Sequence, residues 1–123
     1  MELMNSEFDA VDLEPNEILF RHGEPNDGRM FIVRSGVLSI IKQRDGTGHE
    51  VNTVTQGDPI GEVSFLTGGA RTATVKAVTR CSLFSLSNES FERMVVRNPQ
   101  IGLKVLRCLV ARLREFEKRT GWA

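Results

Sequence analysis

At 123 residues the chain is long enough to bury one core and too short for two. Its 40% hydrophobic and 26% charged residues suit a soluble globular protein; no apolar run nears the ~18 residues of a membrane span and no signal peptide is legible, so a reducing, cytoplasmic setting is expected. Sixteen basic residues balance sixteen acidic ones, which predicts no polyanion partner, and Cys81 and Cys108 are too few and too far apart for a disulfide framework or a zinc site.

The charges are unevenly placed. No base precedes Arg21, whereas Glu2, Glu7, Asp9, Asp12, Glu14 and Glu17 do; from Lys104 to Arg119 six bases face only Glu115 and Glu117. A solvated helix face with cations at its negative end accounts for the latter run, with an acidic or nucleic-acid partner as the alternative. Nine of the eleven glycines fall between Gly23 and Gly69, so short strands and turns are expected first and helices last.

In chain order, Ile18-Leu19-Phe20 is a short apolar run closed by Gly23 and Pro25. Met30 to Val33 and Val37 to Ile41 read as strands parted by Ser35-Gly36, and Asp45-Gly46 marks a hairpin tip. Val51 and Val54 lie in the returning strand, which Gly57-Asp58-Pro59 breaks. Arg71 to Val78 alternates cleanly, with Ala73, Val75 and Ala77 on one face and Thr72, Thr74 and Lys76 on the other. Ser82 to Leu86 follows as a strand. Ser87 is a plausible N-cap for a helix with Phe91, Met94 and Val95 as its apolar stripe, and Asn98-Pro99 ends that helix and opens one running to about residue 119. The expected architecture is mainly β: an antiparallel β-roll over about 11–87, jelly-roll-like and closed as a double-stranded barrel, a short helix within it, and two C-terminal helices over about 88–119. All of 1–123 is expected to form one domain.

The unusual segment runs from Gly61 to Thr72. It reads as a turn, a helix of one or two turns, a glycine stop and a strand start. Such a helix would expose the amides of Glu62, Val63 and Ser64. Arg71 continues the inward face of its strand, and an arginine there must find a counter-charge. An anion held by amides and guanidinium, with a phosphodiester fitting the fork, is one reading; a structural salt bridge between Arg71 and Glu62 is the other.

Gly-Glu-Val-Ser-Phe-Leu at 61–66 followed by Ala-Arg-Thr-Ala-Thr-Val at 70–75 resembles the phosphate-binding cassette of cyclic nucleotide-binding domains. The resemblance extends to Ile-Leu-Phe-Arg-His-Gly at 18–23, Met-Phe-Ile-Val-Arg-Ser-Gly at 30–36 and Gly-Asp at 57–58, and covers about residues 11 to 118. It implies that Glu62 binds the ribose 2′-hydroxyl and Arg71 the exocyclic phosphate oxygens. Gly61, Val63 and Ser64 would present backbone amides, and Ala70 and Thr72 would line the pocket. Ile60 replaces the aromatic common before Gly-Glu, and Ala70 the proline of many kinase-type members; neither change removes a donor or an acceptor. The implied ligand is cAMP or cGMP. Thr72 is similar to the residue of cGMP-responsive members, and cAMP is favoured as the family's commoner ligand.

Catalysis is not expected. Ser64 has no base in its motif, and neither a Gly-x-Ser-x-Gly nor a Walker pattern occurs. His22 and His49, 27 positions apart and in turns, are expected in solvent rather than on a metal, and the two cysteines as inert thiols. No cofactor is expected. The function read from the sequence is a regulatory module that binds cyclic nucleotide and signals through its last helix. The alternatives are a ligand-free domain of the same fold, or the sensor part of a larger transcription regulator, channel, kinase or transporter. DNA binding by this chain alone is not expected. Leu106, Leu109, Leu113 and Phe116 follow a 3-4-3 spacing, the pattern of a narrow apolar seam; for such a helix the resemblance implies a lid over the purine or a parallel homodimer contact, and packing against its own roll is the alternative.

Overall fold

The computed structural model describes residues 9–120, with the side chains of Val63, Cys108, Leu109 and residues 112–120 outside the description. Among the described residues eight strands and three helices follow one another: β1 (Asp9–Leu13), β2 (Ile18–Phe20), β3 (Arg29–Ser35), β4 (Leu38–Arg44), β5 (Thr47–Val54), β6 (Pro59–Ile60), α1 (Glu62–Thr67), β7 (Thr74–Ala77), β8 (Cys81–Ser87), α2 (Asn88–Arg97) and α3 (Pro99–Thr120).

The strands form two antiparallel four-stranded sheets, ordered β1-β8-β3-β6 and β2-β7-β4-β5. They are not closed into a barrel, which corrects the expected closure. One edge of each sheet is a strand too short to carry a ladder onward, three residues in β2 and two in β6, while β1 and β5 form the other edges. The β4–β5 hairpin turns at Asp45 and Gly46, whose φ angles of 55° and 76° suit a two-residue loop between Arg44 and Thr47.

Period-two alternation gives the first sheet two apolar faces. Phe31 and Val33 of β3 and Cys81 and Leu83 of β8 point into the core between the sheets, with Leu38, Ile40, Val75 and Ala77 opposite. Met30 and Leu86 point the other way and, with Ile32 and Phe84 at the margin, meet Met94 of α2 and Val105 of α3. Phe65 of α1 belongs to this second cluster, and its ring meets that of Phe91 edge-on at 5.6 Å. Burying that ring contributes ~1.5–3 kcal/mol and ties α1 to the C-terminal helices.

The caps follow the sequence. The Ser87 hydroxyl accepts the Ser90 amide at 3.3 Å, and Pro99 takes the first position of α3, where its missing N–H costs nothing. Gly36 has φ 97°, and a Cβ there would lie 2.5 Å from the Arg80 carbonyl oxygen, so the β3–β4 turn admits only glycine.

Two strands lie outside the elements expected from the sequence. β1 carries Asp9 and Asp12 and only one fully buried residue, Leu13, so its alternation is faint. β6 is a pair of residues held to Phe31 and Ile32. The Arg71–Val78 strand is also shorter than expected and starts at Thr74. Arg71 turns its backbone to the β2–β3 loop, donating its amide to Glu24 and accepting from Gly23.

Candidate functional site

The site is assembled where β6 enters α1 and where the chain returns at Arg71. Gly61 adopts φ 76° at the start of α1, and a Cβ there would sit 2.5 Å from Arg71 Nη1, so glycine serves both the turn and the close approach of the guanidinium. Gly68, at φ 78°, stops α1 by donating its amide to the Ser64 carbonyl at 2.8 Å. The result is a short helix with Glu62 and Ser64 fully buried, Leu66 facing solvent, and amides at its first turn that the helix itself cannot satisfy.

Arg71 is the centre of the site. It is 3% exposed, and its fork reaches four acceptors: Nη1 donates to Ser64 Oγ at 2.9 Å and to the Gly61 carbonyl at 3.3 Å, and Nη2 to Asp27 Oδ1 and the Arg29 carbonyl, both at 2.9 Å. Its Cζ stands 4.3 Å from the ring centroid of Phe20 and 6.0 Å from that of Phe31, a stacked cation–π arrangement. Burial pushes the Arg71 pKa down; Asp27, foremost, and Glu24 oppose this. The counter-charge thus comes from the β2–β3 loop, outside the cassette in which the sequence offered Glu62 as the structural partner.

Of the seven residues singled out from the sequence, Gly61, Ser64 and Arg71 meet at the start of α1, and Glu62 is buried on the same helix. Ala70 and Thr72 flank Arg71 and are exposed, while the Val63 side chain lies outside the described residues. His22 and His49 are exposed, and the His22 amide donates to Thr74 Oγ1 at 3.0 Å. Cys81 is a buried free thiol. Among the described residues no group of three or more His, Cys, Asp or Glu side chains is placed to hold a metal ion, and no helix is long and apolar enough to cross a membrane.

Sequence reasoning missed Asn26, Asp27 and Phe20. In the sequence Phe20 is only the end of a short apolar run. Pro25-Asn26-Asp27-Gly28 has the composition of a turn, and nothing local to it signals that it folds onto a helix nearly forty residues away.

Residues 10–98 match the family model described as the cyclic nucleotide-binding domain. The catabolite activator protein of Thermus thermophilus superposes on 98% of this chain with a TM-score of 0.83 at 24% identity, over 56% of its own length. The regulatory domain of Toxoplasma gondii PKA, solved with cAMP, covers 75% of this chain and 36% of its own at a TM-score of 0.67 and 30% identity. The cAMP-activated global transcriptional regulator CRP of Salmonella typhimurium is 30% identical over 104 residues, 84% of this chain and 50% of that protein. The chain thus spans about half of these relatives or less, and as little as 7% of another. An open β-roll with C-terminal helices, built around this cassette, is the regulatory, nucleotide-sensing class of fold. The chain belongs to the cyclic nucleotide-binding domain family.

Proposed function

We propose that this chain binds cAMP in preference to cGMP, without catalysis, and signals the occupancy through α3. The observation that carries the reading is the guanidinium of Arg71: buried, stacked on Phe20, and gathered with Ser64 and Gly61 where α1 begins. A phosphodiester matches that fork, and charge-assisted hydrogen bonds to it would be worth ~1.5–3 kcal/mol each. In this reading Arg71 holds the exocyclic oxygens, the amides of Gly61, Val63 and Ser64 add donors, and Ala70 and Thr72 line the pocket. Glu62, fully buried beside them, accepts from the ribose 2′-hydroxyl. Two relatives, one cAMP-activated and one solved with cAMP, support cAMP; Thr72, whose hydroxyl suits a guanine, speaks for cGMP.

The route to α3 is Phe65. It lies on the same short helix as Ser64 and packs with Met94 and Val105, so a shift of α1 on binding displaces the cluster that seats α2 and α3. Signalling requires that ligand bind one arrangement of these helices better than another, since equal affinity shifts nothing. A homodimer through Leu106 and the residues beyond it, or an effector elsewhere in a larger protein, would read the change, and a cytoplasmic location goes with such a role.

Calorimetric titration with cAMP, cGMP and 2′-deoxy-cAMP tests the reading. Saturable binding is expected with cAMP tightest, and the deoxy ligand weaker because Glu62 loses its donor. Glu62→Gln should bind cAMP more weakly and narrow the gap between the ribo and deoxy ligands. A wild type that binds none of the three overturns the proposal; equal affinity for ribo and deoxy ligands removes Glu62 from it.

A further inference from the structure

We infer that Asn26 is a positioning residue of the ligand site: it holds α1 at its working distance from Arg71 and sets nucleotide affinity without touching the nucleotide. The inference rests on the cyclic-nucleotide reading. Asn26 Nδ2 donates to the Ser64 carbonyl at 2.6 Å, across 38 residues of sequence, while its Oδ1 accepts the Gly28 amide at 2.9 Å. The side chain is therefore fixed at both ends, one in its own loop and one on α1.

The next residue grips the other wall. Asp27 Oδ1 accepts the Arg29 amide at 3.2 Å and bonds Arg71 Nη2 at 2.9 Å. Two adjacent residues of one loop thus hold the two parts that must converge on a phosphate, the first turn of α1 and the guanidinium. The loop is itself bonded to the Arg71 backbone, Gly23 donating to its carbonyl at 2.8 Å and Glu24 accepting its amide at 2.9 Å.

The bond to Ser64 is not needed to complete the helix. That carbonyl already accepts the Gly68 amide at 2.8 Å, so losing the Asn26 donor leaves no buried acceptor unmet. What it adds is placement of the helix relative to the loop. Removing it should leave α1 folded and let it swing, which scatters donors that must sit within a fraction of an ångström of the ligand.

The test is Asn26→Ala, measured three ways: cAMP affinity by calorimetry, apo melting temperature, and hydrogen exchange of the Phe65 and Gly68 amides. Affinity should fall about 5-fold, the worth of one hydrogen bond. The melting temperature should fall by no more than about 6 °C, and the two α1 amides should exchange several-fold faster while β3 and β8 keep their protection. A residue that merely stabilised the loop would lower the melting temperature and leave the dissociation constant alone, since the protein is folded at the assay temperature. Wild-type binding with unchanged affinity in Asn26→Ala overturns the inference. If the wild type binds no cyclic nucleotide, the functional reading fails and the affinity role of Asn26 falls with it, and exchange then decides only whether Asn26 holds α1: faster α1 amides sustain that hold, unchanged ones end it.

Discussion

Asp27 Oδ1 lies 2.9 Å from Arg71 Nη2, and the two side chains could hardly be more unlike in setting, one 65% exposed and the other 2%. A buried cation is therefore balanced by an anion that remains in contact with water. Burial holds the Arg71 pKa below the usual arginine value. Keeping the group charged thus costs stability throughout the neutral range, and the cost is relieved only as the pH rises toward that lowered pKa.

Asp27→Asn tests what that anion contributes. The amide keeps an oxygen for Arg71 and for the Arg29 amide but removes the charge, so the apo-protein should lose ~1 kcal/mol, a fall of about 3–6 °C in melting temperature. A bound phosphate would then be the main counter-charge of Arg71, and cAMP should raise the melting temperature more in the variant than in the wild type. Identical melting, with and without nucleotide, would show that the exposed end of the pair is silent.

Arg71→Lys separates charge from shape. Lysine retains the cation but cannot serve Ser64, Gly61, Asp27 and Arg29 at once, nor stack as a plane on Phe20. Binding of cAMP should weaken ten- to a hundredfold, with a melting temperature nearer to wild type than that of Arg71→Ala. Alanine leaves the same four acceptors without their donor and a gap beside Phe20. Calorimetry and thermal melting of both variants decide this, and equal losses of stability would make the fork irrelevant to the fold.

The strands and the cassette differ in how far the sequence disclosed them. The alternation through Ala73, Val75 and Ala77 is local and unopposed, and those residues lie inward as it requires. Ser87 and Pro99 mark helix starts by their own chemistry. Arg71 stands out as a candidate because a base falls where an apolar pattern asks for none, and Glu62 because it lies in the motif that resembles the family's cassette. Asp27 and Asn26 were not legible, since their partners are 44 and 38 residues away and a polar turn gives no sign of what it folds against. β1 and β6 escaped for a related reason: each is a strand by virtue of its neighbour, β8 in one case and β3 in the other.

Two glycines of the cassette share a backbone conformation and differ in surroundings. Gly61 and Gly68 have φ 76° and 78°, but a Cβ at Gly61 would meet Arg71 Nη1 at 2.5 Å, whereas one at Gly68 meets nothing within 4 Å. Gly68→Ala should therefore cost only the left-handed backbone penalty, ~1–2 kcal/mol, with cAMP affinity near wild type. Gly61→Ala carries that penalty and displaces the guanidinium, so affinity should fall at least tenfold. Thermal melting and calorimetry of the pair test this; equal affinities would mean that Arg71 is not the phosphate's partner.

The last helix supplies the final prediction. At the start of α3, Val105 is buried in the cluster that holds Phe65, while Leu103, Leu106 and Val110 are 38%, 55% and 45% exposed. Leu106 is thus open to solvent, and a lid, a dimer contact and packing against the roll are the three uses to be told apart for the seam it begins, in which Leu109, Leu113 and Phe116 follow by spacing with side chains outside the described residues. Lys104 Nζ also stands 4.0 Å from Asp58 Oδ1, in the turn that leads through β6 into the cassette, so α3 meets the site's supports from two sides. Ligand binding that shifts α1 should move α3, and the emission of Trp122, just past the helix and outside the described residues, should change with cAMP saturation. Phe65→Leu keeps most of the buried volume but loses the edge-on contact with Phe91, so it should bind cAMP within about threefold of wild type and give a smaller Trp122 response. Sedimentation of free and liganded protein distinguishes the dimer from the lid, because a dimer raises the mass and a lid does not. Saturable binding with neither an emission change nor a mass change would leave α3 as static packing.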